Sequence, residues 1–187
     1  MKGVVFNLLE EAVGRAFGPD TWDALLDVSG VSGAYTSLGN YPDEEIEALV
    51  AAAGAALSLD RDAVLRWFGV NAIPILAELY PDFFKATNGR AFVDGINTII
   101  HAEVRKIYPG AACPHFRMHA NASGDLVMDY LSTRNMCALA QGFVEGSAAF
   151  YGEAVTFEHV ACTAKGDSHC TFHIAWAPAE TGTAEAA

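Results

Sequence analysis

The chain is poor in positive charge: 11 lysines and arginines stand against 23 aspartates and glutamates, for a formal net charge of −12. Nucleic acid and anionic membrane surfaces both need a basic face, so neither is expected as a partner. No uninterrupted apolar run reaches the 18 or so residues of a membrane span. The opening stretch Met1-Lys-Gly-Val-Val-Phe-Asn-Leu-Leu-Glu-Glu11 turns acidic at Glu10, and no small-residue cleavage pattern follows. It does not read as a secretory leader, and the expected location is the cytoplasm. Cysteine is sparse, with four in 187 residues. In a reducing compartment these are ligands or thiol sensors before they are disulfides. Paired carboxylates, a nucleophile elbow and a phosphate loop are missing, and the Gly30–Gly33 pair is too weak a motif to stand for one, so an enzyme is not expected.

Apolar side chains are abundant. They make up 52% of the residues against 18% charged, more than the core of one domain of this length needs. A cofactor held inside the domain explains the surplus. Two features suggest which kind. His101 sits in the apolar helical run Ile96-Asn-Thr-Ile-Ile-His-Ala-Glu-Val104, and Tyr130-Leu-Ser-Thr-Arg134 follows about thirty residues later. If 130–134 is extended, Tyr130, Ser132 and Arg134 project together as two hydroxyls and a guanidinium. That set suits an acidic group held against an apolar wall, such as the propionates of a planar cofactor. His101 would then be an axial iron ligand. The plainer alternatives are a solvated sheet face and a packed histidine.

Periodicity divides the chain into a helical half and a sheet half. Val5, Leu8, Leu9, Ala12, Val13, Ala16 and Phe17 follow helical spacing until Gly18-Pro19. Further helices are predicted over Thr21–Val28, from Pro42 and its following carboxylates, and from Asp60, where Pro74 is expected to introduce a kink. After Tyr108-Pro-Gly110 the period becomes two. A hairpin is predicted from 115–120 and 125–133, then a helix over 136–151, then strands at 154–164 and 168–176 around a Lys165-Gly-Asp167 turn. The fold class is α+β: an N-terminal helical half packed on a C-terminal four-stranded antiparallel sheet with one inserted helix, the cofactor buried between them. Residues 1–177 form one domain, and the low-complexity residues 178–187 are expected to be a disordered tail.

The opening Met1-Lys-Gly-Val-Val-Phe-Asn7, the His101-x6-Tyr-Pro-Gly110 stretch, Pro114 at the first strand and Tyr130-x-Ser132-x-Arg134 together resemble the haem nitric oxide/oxygen binding (H-NOX) family. These are bacterial relatives of the soluble guanylate cyclase haem domain, and the resemblance covers residues 1–177. It implies haem b, with His101 as proximal ligand, Tyr130, Ser132 and Arg134 on the propionates, and Pro114 pressing on the porphyrin. Oxygen-holding members carry a tyrosine five residues past the arginine, because a hydroxyl donor stabilises iron-bound oxygen. Here that position is Leu139, and Leu9, Ala72 and Leu76 occupy the stretches of the other polar partners. Val5 and Phe143 add apolar bulk. The resemblance therefore implies a nitric oxide sensor. Nitric oxide trans to a histidine weakens the iron–nitrogen bond, so His101 is expected to be released. The signal is expected to pass to a separate effector, in this family a histidine kinase or a cyclic-di-GMP enzyme.

A second set remains. His159-x2-Cys162-x7-Cys170 plus Cys137 offers three thiols and one imidazole, which suits tetrahedral zinc. Some H-NOX members have such a site, and the Cys162–Cys170 hairpin also looks like that of vinyl-reductase-like domains. The same cysteines also read as small buried apolar residues. His169 competes with His159 as ligand, and Cys113 is left over. An alternative function follows: a zinc-thiolate redox sensor in which haem is secondary. His115, His119 and His173 alternate on strands and read as surface residues.

Overall fold

The computed structural model describes residues 1–178. Its elements run α1 (Gly3–Phe17), α2 (Pro19–Ser29), α3 (Asp43–Leu57), α4 (Arg61–Leu79), a 3-10 turn (Pro81–Phe84), α5 (Gly89–Asp94), a π-helical turn (Ile96–Ile100) and α6 (His101–Ile107). Then come β1 (His115–Ala120), β2 (Leu126–Leu131), α7 (Cys137–Phe150), β3 (Glu153–Ala161) and β4 (Cys170–Pro178). The sheet is antiparallel in the order β1-β2-β4-β3. This is the predicted helical half on a four-stranded sheet with one inserted helix. No described helix is long and apolar enough to cross a membrane.

Local chemistry sets the helix ends. Gly18 takes a positive φ of 93° that a side chain would resist, and Pro19 starts α2 with its φ already fixed. The Asp60 carboxylate accepts the Ala63 N–H at 2.7 Å and caps α4, and Asn88 caps α5 in the same way on Ala91. α4 runs on through Pro74. The Val70 carbonyl, left without its intrahelical donor by Pro74, faces Gly146 of α7.

Three boundaries differ from the expectation, each for a local reason. The predicted helix over 96–104 is split into a π turn and α6, with His101 at the junction. β2 stops at Leu131, because the Ser132 hydroxyl accepts the Arg134 N–H and turns the chain. β3 and β4 are shorter at their shared end, because the Asp167 carboxylate accepts the Cys162 N–H and closes the loop between them. Pro178, the first residue of the predicted tail, belongs to β4; the rest of that tail lies outside the described residues.

Two hydrophobic cores form. The first joins α1 to α4 around Phe6, Leu49, Leu65 and Phe68; the second joins the sheet to α5 around Val93, Leu126, Met128 and Phe172. α7 and the Met136 that precedes it belong to both, giving Met136, Ala138 and Leu139 to one and Cys137, Ala140 and Val144 to the other. It reaches the first core by lying directly on α4. A Cβ on Gly142 would sit 2.1 Å from the Arg66 carbonyl oxygen. Gly142→Ala is therefore expected to destabilise the chain by about 1–3 kcal/mol through overpacking, read as a lower urea midpoint.

Candidate functional site

Between the two cores lies a cavity of about 310 Å³, a volume typical of a small-molecule site. Val5, Leu76, Leu139 and Phe143 line it from the side of the first core. Ile96, Ile100 and Phe116 line it from the side of the second. Neither the π turn nor α6 has a single buried residue, since much of their inner surface is cavity wall.

His101 opens α6 and lines the cavity. Its Nδ1 is buried without a hydrogen-bond partner. Burial, with a smaller contribution from nearby Arg105, pushes its pKa down to about 4, so at neutral pH the ring is the uncharged imidazole that binds metals. Its ring faces that of Phe116 at 5.9 Å, and Pro114 lines the cavity beside it. The π turn is tied to β1 by Asn97, whose side chain donates to the Phe116 carbonyl and accepts the Phe116 N–H. Asn97 went unread in the sequence, although a lone amide inside Ile-Asn-Thr-Ile-Ile was a signal.

Tyr130, Ser132 and Arg134 all line the cavity, but not as three alternating positions of one strand. Only Tyr130 is on β2; Ser132 and Arg134 are gathered by the turn that follows. The Tyr130 hydroxyl donates to the Arg134 carbonyl at 3.4 Å. Arg134 Nε donates to Asp43 Oδ2 at 2.6 Å, and its Nη1 donates to the Ala112 carbonyl at 2.8 Å. Asp43, unnoticed in the sequence, thus holds the guanidinium across 91 residues of chain.

Val5, Leu76, Leu139 and Phe143 line the cavity as expected. Leu9 and Ala72 do not: both are buried in the first core, and their neighbours Leu8 and Ile73 line the cavity instead. One residue along a helix is a rotation of about 100°, which spacing alone does not fix. Further polar residues reach the lining. The Tyr80 and Tyr108 hydroxyls bond each other at 2.6 Å, and Ser147 Oγ donates to the Phe143 carbonyl at 2.6 Å.

The second predicted set also converges. The ligand atoms of Cys137, His159, Cys162 and Cys170 all lie within 4.8 Å of one another. Cys162 Sγ is 3.9 Å from Cys137 Sγ and 3.8 Å from Cys170 Sγ. Those separations match the roughly 3.8 Å edge of a tetrahedron with Zn–S bonds near 2.3 Å and are far from a disulfide bond. His159 Nε2 is buried without a partner. Burial and the neighbouring thiols push the Cys137 thiol up to about 12, so a metal would have to supply the charge that makes it a thiolate. His169 does not compete: it turns to Asp129 at 3.4 Å and to Ser168 at 2.8 Å. Cys113 stands apart, half-buried in the cavity wall.

A family model described as Haem-NO-binding matches residues 2–159. The chain belongs to the H-NOX family. An H-NOX protein from S. oneidensis in the Fe(II)NO ligation state superposes with a TM-score of 0.88 at 28% identity, covering 95% of this chain and 99% of that one. An NMR structure of an H-NOX domain from Shewanella oneidensis in the Fe(II)CO state gives 0.84 at 28% identity, with 93% and 97% covered. The Fe(II) unliganded H-NOX protein from K. algicida gives 0.79 at 25% identity, with 95% and 97% covered.

H-NOX chains are haem-binding gas-sensor domains, and the residues here fit haem. The walls are apolar, one neutral imidazole faces in, and an arginine fork with two hydroxyls lies in the same lining. The fork depends on Asp43. Burial raises that carboxyl's pKa, but hydrogen bonds from the Met1 amino group and Arg134 outweigh burial and hold it below its ordinary 3.8. As pH falls below about 3.8 the unfolded chain takes up this proton before the folded one does, so stability is lost there and is present above. Asp43→Asn should flatten that acid loss, as compared by urea midpoints at pH 6 and pH 3.

Proposed function

We propose that this H-NOX chain is a sensor selective for nitric oxide over oxygen. The observation that carries the reading is the hydrocarbon wall of the cavity on the first core: Val5, Leu8, Ile73, Leu76, Leu139 and Phe143 carry no donor. Ser147 donates its proton to the Phe143 carbonyl, and one of the Tyr80 and Tyr108 hydroxyls donates to the other, which leaves the pair a single phenolic proton. Oxygen needs a hydrogen-bond donor to be held, and nitric oxide does not.

Haem b, when bound, would supply a ferrous iron that takes a diatomic gas and is held by an imidazole ligand. His101 would be that ligand, Tyr130, Ser132 and Arg134 would hold the propionates, and Pro114 would press on the ring as a rigid wedge. Release of His101 frees α6, a helix with no buried residue and a π turn at its start, and such segments move at low cost. Asn97 keeps the π turn on β1 while α6 shifts. Two arrangements biased by a ligand make a switch. The receiver, by likeness to the family, is a histidine kinase or a cyclic-di-GMP enzyme.

The thiol cluster supports zinc as a second group, held by Cys137, His159, Cys162 and Cys170 and fastening α7 to the β3–β4 hairpin. The family match favours haem as the primary group and offers nothing for a redox switch in which haem is secondary.

The test is an absorption spectrum of the anaerobically reduced protein. Nitric oxide should move the Soret band to that of five-coordinate iron, and air should leave the reduced spectrum unchanged. A stable complex with oxygen sinks the selectivity, and Tyr80→Phe would then identify the missed donor. Leu139→Tyr should create oxygen affinity in the same assay. Metal analysis is expected to find about one zinc per chain, falling to a fraction of that in Cys137→Ser; zinc unchanged in that variant would refute the ligand set.

A further inference from the structure

Lys2 is the one charged side chain that is buried among the described residues, at 8% exposure. A buried charge is expected to have a counter-ion. Lys2 has none: its Nζ donates to the Leu38 carbonyl at 3.1 Å, and no described carboxylate lies within ion-pair distance. The other cations are satisfied differently. Lys85 and Lys106 pair with Asp82 and Glu103, Lys165 and Arg105 are exposed, and the remaining arginines each have a carboxylate partner.

Lys2 also lines the cavity, in company with Arg134 and Ser132. Its backbone is fixed there by a bridge to Asn40, and the next residue fixes α1 close by. A Cβ on Gly3 would fall 2.0 Å from the Thr36 carbonyl oxygen, so the 36–40 strap and the start of α1 touch backbone to backbone. An ammonium uses one of its three donors on Leu38 and has two left. Arg134 is already shared with Asp43, so a cofactor bringing two carboxylates finds one partly committed cation and one uncommitted one.

We propose that Lys2 is a second carboxylate-binding cation of this cavity, pairing with an acidic group of the bound cofactor alongside Arg134. The proposal rests on the haem reading and names a further residue that holds it. Pairing a buried ammonium with a carboxylate removes an uncompensated charge from the interior, which makes cofactor binding stabilise α1 and its strap as well as the cavity.

The experiment compares dissociation of haem b and of its dimethyl ester, which lacks the carboxylates, into an excess of apomyoglobin. Lys2→Met keeps the apolar stem and removes the charge. It should speed loss of haem b by roughly ten- to hundred-fold and leave loss of the ester nearly unchanged, and Lys2→Arg should restore most of the retention. Equal acceleration for both porphyrins, or none, overturns the pairing. Should Lys2→Met fail to fold, the wild-type chain labelled with ¹⁵N at lysine Nζ decides. The Lys2 ammonium should shift and exchange its protons more slowly when haem b binds; an unchanged signal refutes it. A wild-type chain that takes up no haem at all would instead sink the haem reading.

Discussion

An apolar cavity of about 310 Å³ between two separately packed cores is an expensive thing for a chain of this size to keep. Apolar side chains that face such a space forgo the stabilisation that burial would bring them, about 25 cal/mol per Å². The surrounding structure shows how the cavity is kept open. α1 is wedged against the 36–40 strap, α4 and α7 touch along glycines, and Asn97 and Arg134 bridge loops to the elements that face them. Filling the cavity with a planar apolar group turns that cost into binding energy. The family to which the chain belongs uses haem for this.

α7 is where the parts meet. It lies on α4 closely enough that Gly142 and Gly146 touch the carbonyls of Arg66 and Val70, and it packs into both cores. Its first residue, Cys137, belongs to the thiol cluster, and one turn later Leu139, Ala140 and Phe143 line the cavity. The register repeats the link in the sheet: Tyr130 on β2, a cavity residue, stands opposite Cys170 on β4, a cluster residue. On the proposed reading, the haem clamp and the zinc ligands hang on the same strand-to-helix corner, so loosening one end alters the support of the other.

Much of this was legible from residues alone, because periodicity and punctuation are local. The helix, hairpin, helix, hairpin order follows from the change of period after Tyr108-Pro-Gly110, and the cluster of Cys137, His159, Cys162 and Cys170 follows from ligand chemistry plus one hairpin. What stayed hidden depends on distant partners or on rotation. The π turn before His101 cannot be told from an α-helix by apolar spacing. Leu8 replaces Leu9 in the cavity through one step of rotation. Tyr130, Ser132 and Arg134 converge for a reason other than strand alternation, since Ser132 bends the chain. Asp43, Tyr80 with Tyr108, and Lys2 acquire meaning only once the fold brings them to one wall.

On the proposed reading, the apolar wall and the α6 helix without buried residues belong to one design. A donor opposite His101 would stabilise bound oxygen and fill the site in air, leaving the switch permanently set. An α6 packed into a core would hold His101 too firmly for a diatomic gas to displace. Here the first-core side of the cavity is hydrocarbon, and the helix carrying the histidine has its inner face turned to the cavity, with no residue buried in protein. The rigid half contains α4 and α7, packed backbone to backbone, and α1, seated on the 36–40 strap; the yielding half is the π turn and α6, which Asn97 ties to β1. A small ligand can shift such an equilibrium only through its differential affinity for the two states. On the proposed reading, breaking one metal–imidazole bond would supply that difference at His101, the residue that would join the yielding half to the cofactor.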